Sequence, residues 1–205
     1  METLPMFPLG LVAFPGNVVP LRLFEPRYLK LHEDLVSGNG EFGIVLIERG
    51  VAEAHGGEHF SIGTVVRTVA SAPMEDGSVM LIATGTDRMR VERWLDDDPY
   101  PRAIVERLPT PTSDDMVAEV MAHCSTLLTR VLALASELGA DVGVDAPEID
   151  REPVGALYDI AHLAPIQELD QQRILEADDA LDGAHTLRDE LTSVIDRLTI
   201  QLGEG

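Results

Sequence analysis

The sequence predicts an α+β protein, a β-rich region followed by a helical one. In the first half, short apolar runs rich in β-branched residues are separated by Gly, Pro and Asp-Gly signals, which is how strands and their turns read. After Pro109-Thr110-Pro111-Thr112-Ser113 the apolar period lengthens from two to that of a helix. With 205 residues, 45% of them hydrophobic, the chain has enough apolar material for a folded core. The expected domains are 1–108 for the β part and 113–205 for a helical bundle.

The elements follow in order. Residues 3–21 carry no charge, yet Pro5, Pro8, Pro15 and Pro20 interrupt them, and each Pro inside a helix is unfavourable by about 3 kcal/mol. A secretory signal also needs a basic start, whereas this chain begins Met1-Glu2. The segment therefore reads as strand and loop, and the expected location is cytoplasmic. A short helix starts at Pro26, places Tyr28, Leu31 and Leu35 on one face and ends at Gly38. Strands are expected at 43–47, 63–69, 79–83, 89–94 and 102–106, with Asp76-Gly77 turning the second into the third. Helices are expected at 113–138, 153–163, 166–181 and 186–202. The first carries a stripe of Val117, Val120, Cys124, Leu127, Val131, Leu134 and Leu138.

Charge and composition exclude several functions. A net charge of −21 repels nucleic-acid backbones and anionic membrane surfaces. Lys30 is the only lysine and follows Leu29, so there is no Walker A loop, and a Ser–Lys mechanism would have Lys30 alone to use. The single cysteine, Cys124, forms no internal disulfide, and its place on an apolar stripe reads as a buried thiol.

Two motif matches fail on context. Gly38-Asn39-Gly40-Glu41-Phe42-Gly43 spells G-x-G-x-x-G, but it leads from a helix into a strand, the reverse of a dinucleotide site, and reads as a helix end and turn. His55-Gly56-Gly57-Glu58-His59 spells the inverted zinc-protease pattern H-x-x-E-H. Its chemistry requires both histidines on one helix face, and two adjacent glycines oppose a helix by about 2 kcal/mol. A surface loop is the favoured reading; a metallohydrolase site built from His55, Glu58 and His59 is the alternative. There is no G-x-S-x-G elbow, so no catalytic residue, cofactor or metal is expected.

The opening segment is more specific. Leu4-Pro5-Met6-Phe7-Pro8-Leu9, Phe14-Pro15-Gly16, and Pro20-Leu21-Arg22-Leu23-Phe24-Glu25-Pro26-Arg27-Tyr28 resemble the N-terminal, substrate-binding domain of Lon proteases. Phe42 to Ile47, Gly63-Thr64, Asp76-Gly77, Gly85-Thr86-Asp87-Arg88 and Pro99-Tyr100-Pro101-Arg102-Ala103 continue the likeness, with Met89 where an aromatic is expected. Leu163-Ala164-Pro165 and Gln171-Gln172-Arg173-Ile174-Leu175-Glu176 resemble its helical extension.

The resemblance implies a PUA-like pseudo-barrel followed by a helical bundle, in a stand-alone form without Lon's ATPase and protease domains. It implies a non-catalytic module that binds polypeptide clients, an adaptor or regulator for a separate ATP-dependent protease. Some PUA-type domains bind RNA, which leaves RNA binding as a further alternative against the charge. The family motif residues Pro8, Pro15, Phe24, Glu25, Pro26, Arg27 and Tyr28 are expected to be structural. Phe24 and Tyr28, four apart, are expected to stack and anchor the short helix in the core, with Glu25 and Arg27 paired nearby.

Overall fold

The computed structural model describes residues 1–47, 59–140, 149 and 152–203. They divide into two compact units, Met1–Pro109 and Thr110–Gly205.

The first unit contains β1 (Glu2–Leu9), β2 (Val18–Leu23), α1 (Pro26–Ser37), β3 (Glu41–Ile47), β4 (His59–Pro73), β5 (Val79–Leu95) and β6 (Arg102–Arg107). The strands form one sheet in the order β2-β5-β4-β3-β1-β6, and β5 also pairs with β6. Strands β5, β4, β3, β1 and β6 therefore close into a five-stranded ring, and β2 is added alongside β5. All ladders are antiparallel except β1 with β3.

Strand alternation sorts the side chains onto two faces. The inside of the ring holds Leu4, Met6, Val45, Val65, Met89, Ala103 and Val105. A Cβ on Gly43 would lie 2.4 Å from the Met89 methyl and 2.6 Å from the Met6 sulfur, so glycine leaves room there for two methionines. The other face carries the larger core, in which Phe7, Phe42, Ile44 and Val66 pack with Val19, Leu21 and Leu23 of β2 and Tyr28, Leu31 and Leu35 of α1.

Two expected strands, 79–83 and 89–94, are one long strand, β5. Gly85 reads as a break but is a site of close approach: a Cβ there would stand 2.1 Å from the Phe14 carbonyl oxygen. The β4–β5 register shifts beside it, between Val65 and Val66, so the strand bends and continues. Asp76-Gly77 does form the turn, with Gly77 at φ +82° and the Met74 amide donating to Ser78 O at 2.8 Å. The G-x-G-x-x-G residues serve separate purposes: Gly38 ends α1, Gly40 turns at φ +73°, and Gly43 lies inside the ring.

The second unit contains α2 (Asp115–Glu137), α3 (Pro153–Leu163), α4 (Glu168–Glu176) and α5 (Ala180–Gly203). Asp114 caps α2 by accepting from the Met116 and Val117 amides at 3.0 and 3.2 Å. Of the expected stripe α2 buries Val117, Cys124 and Val131, and Met121 and Leu128 take the places of Val120 and Leu127, because the contacts follow a 4-3-4-3 spacing. By length and composition α2 is apolar enough to cross a membrane, but this stripe packs in the bundle, chiefly with α5. Burial pushes the Cys124 thiol up to about 11, so it is an inert packing group. The third helix ends at Glu176, earlier than expected, and the last begins at Ala180. Asp179 caps that start through the Leu181 amide (2.9 Å), and Gly183, in the gap between the two expected helices, lies inside α5 and lets Leu157 approach.

Residues 1–109 have a core of their own and are expected to fold when produced alone. Dispersed amide NMR signals from that fragment are the expected result; a molten product would show that the helices complete the β unit.

Candidate functional site

The family motif separates into a buried part and an exposed part. Pro26 occupies the first turn of α1, and the Tyr28 and Leu29 amides donate to Glu25 O at 2.9 and 3.0 Å. Tyr28 is 7% exposed and its ring lies 4.1 Å from that of Phe7, centroid to centroid. Burial raises the pKa of its phenol. Phe24 corrects the expectation: it is 68% exposed and does not stack on Tyr28. The helix begins only at Pro26, so Phe24 follows the alternation of β2, whose Val18, Pro20 and Arg22 also point away from the core. Arg27 pairs with Glu25 at 2.8 Å and lies over the Tyr28 ring, but both charged side chains are over 40% exposed. Pro8 stands opposite Val45 in the β1–β3 ladder, and Pro15 bridges to Gly85.

A charged belt closes one end of the ring. Each ring strand contributes one residue to it: Glu2 from β1, Glu41 from β3, Arg67 from β4, Asp87 from β5 and Arg107 from β6. Arg107 contacts Glu2 and Asp87 at 2.6 Å and Glu41 at 2.7 Å, and Arg67 reaches the other Glu41 oxygen at 2.7 Å. Glu41 is buried, and its hydrogen bonds to Arg67 and Arg107 hold its carboxyl below the usual range against the opposing effect of burial. The Arg107 guanidinium is correspondingly raised.

Beyond the belt, β4 and β5 project as a hairpin with β2 alongside. One face of this layer is core. The opposite face is open, and the register places Pro20 opposite Ile82, Arg22 opposite Met80, Ala70 opposite Ile82 and Ala72 opposite Met80. Val18, Pro20, Ala70 and Ala72 are exposed, and Met80 and Ile82 are partly so. At the turn, Arg22 pairs with Asp76 and donates to the Ser78 hydroxyl at 3.2 Å. The Ser78 hydroxyl and amide, then Arg22, lower the Asp76 carboxyl to about 2. An open apolar strip thus lies between charged ends.

Of the H-x-x-E-H residues, His55 and Glu58 lie outside the described residues. His59 opens β4, opposite Ile47, with its ring 4.7 Å from that of Trp94, and burial lowers its pKa. Among the described residues no group of three or more His, Cys, Asp or Glu side chains is arranged to hold a metal ion.

The architecture defines a class, an α+β chain with a barrel-like sheet ahead of a helical unit, and solved structures share it. The crystal structure of a Lon N-terminal domain protein from Xanthomonas campestris is similar at 29% identity and a TM-score of 0.68, over 91% of this chain and 97% of that one. The N-terminal domain of the Mycobacterium avium complex Lon protease has the same fold at 15% identity and a TM-score of 0.69, over 93% and 98%. Among curated relatives, Lon protease 2 of Sorangium cellulosum is 34% identical over 87% of this chain and 23% of its own length. The Lon protease of Cytophaga hutchinsonii is 26% identical over 98% of this chain and 25% of its own. The chain thus spans about a quarter of those relatives' length. Residues 3–192 match the ATP-dependent protease La (LON) substrate-binding domain, and the chain belongs to that family.

Proposed function

We propose that this chain is a non-catalytic module that binds polypeptide segments and serves as an adaptor or regulator for a separate ATP-dependent protease. The observation that carries the reading is the open apolar face of β2, β5 and β4, in a chain of the substrate-binding family. A folded monomer seldom leaves a contiguous apolar strip on a sheet unless something docks there. Side chains that alternate along each strand give such a face a row of apolar contacts for an extended peptide.

The full chain is expected to bind unfolded casein measurably by fluorescence anisotropy, to leave it intact and to hydrolyse no ATP. Failure to bind, or cleavage abolished by a substitution in this chain, would overturn the reading.

A further inference from the structure

Charged side chains flank the open face at both ends. Its apolar strip runs from Val18 and Pro20 through Ile82 and Met80 to Ala70 and Ala72. At one end lies the belt, where Glu2, Glu41 and Asp87 outnumber Arg67 and Arg107. At the other, Glu75 and Asp76 share the turn with Arg22. The guanidinium groups are committed: Arg107 to three carboxylates, Arg67 to Glu41, and Arg22 to Asp76 and Ser78. The rim carboxylates retain capacity. Glu2 and Asp87 are 39% and 43% exposed, and a carboxylate accepts up to about four hydrogen bonds. An arriving side chain therefore meets acceptors at both ends of an apolar strip, on a chain of net charge −21.

We infer that this face takes an extended polypeptide segment with apolar side chains over the strip and lysine or arginine at its ends. The inference rests on the polypeptide-binding reading above and gives it a substrate class. From Val18 to Arg22 the strand covers about 13 Å, at roughly 3.3 Å per residue, so a segment of about four to six residues spans the strip. Its alternate side chains would lie on Pro20, Ile82 and Met80, and its terminal cations would reach Glu2 and Asp87 or Glu75 and Asp76. A second copy of this chain would set −21 against −21, and RNA would set phosphates against carboxylates, so charge opposes both.

The test compares two short fluorescein-labelled peptides on the full chain, both with the same valine and leucine centre, one flanked by lysines and the other by glutamates. The lysine peptide is expected to bind at least about tenfold more tightly, and added salt should remove most of that advantage. A Met80→Gln, Ile82→Thr double variant, uncharged and checked by thermal melting, should weaken the lysine peptide by about tenfold. Glu75→Lys, on the exposed turn, should reduce the preference while leaving the melting temperature unchanged. Equal binding of both peptides would overturn the charge selection and leave polypeptide binding standing. Lysine-peptide binding unaffected by the double variant, or casein binding with neither peptide bound, would overturn the assignment of this face. Self-association or RNA binding lost in the double variant would overturn the choice of occupant. If casein does not bind either, the parent reading fails first.

Discussion

Tyr28→Ala is expected to lower the stability of the β unit by about 3–5 kcal/mol, the range for a large buried aromatic cut back to Ala. Phe24→Ala, four residues earlier in the same motif, should change stability by no more than about 0.5 kcal/mol, as exposed positions do. The contrast follows from placement: Tyr28 fills the space between α1 and Phe7, whereas Phe24 faces solvent at the end of β2. Against a total of about 5–15 kcal/mol, the first loss is plainly visible in a thermal melt. Arg27→Ala should be close to neutral, because a solvent-exposed pair such as Glu25–Arg27 contributes about 1 kcal/mol or less. Equal melting of the two aromatic variants would mean that α1 is not anchored as described.

Arg107→Ala is expected to have the next largest effect, about 3 kcal/mol, the low end for removing one partner from a buried ion pair. It would leave Glu2, Glu41 and Asp87 facing one another with Arg67 as the remaining cation. The low end applies because Glu2 and Asp87 are partly solvated and only Glu41 is buried. The effect should depend on pH with a definite sign. The folded-state pKa of Glu41 lies below its ordinary 4.5, so its stabilisation is fully present above about that pH and is lost as pH falls through the lowered value. The gap between wild type and Arg107→Ala should therefore be wide at neutral pH and narrow in acid. Chemical denaturation at both pH values measures it, and a gap that widens in acid would contradict the ionic account.

Much of the fold was legible because its signals are local. Pro26 with the Tyr28, Leu31 and Leu35 spacing and the Asp76-Gly77 turn are each contained within a few residues. What was misread depends on distant partners. Gly85 and Gly183 fall in gaps between expected elements, yet each lies inside one and is small because Phe14 or Leu157 approaches it from far along the chain. The belt was invisible, since positions 2, 41, 67, 87 and 107 share no window and only the sheet register unites them. A weak signal existed: each falls on the ring-facing parity of its strand, in line with the core residues beside it.

Phe24 follows the period of a strand and not that of a helix. Val18, Pro20, Arg22 and Phe24 alternate as a strand does, whereas the i, i+4 reading with Tyr28 assumed a helix that starts two residues later. The same alternation would have drawn attention to the open face. Its apolar residues come from three strands, so its extent appears only once they are paired.

Amide hydrogen exchange on the full chain, with and without saturating unfolded casein, tests the central claim most directly. Docking on the open face predicts new protection along β2, at 79–84 of β5 and at 70–72 of β4, with the ring strands β1 and β6 unchanged. Protection confined to the helical unit, or to β1 and β6, would contradict it.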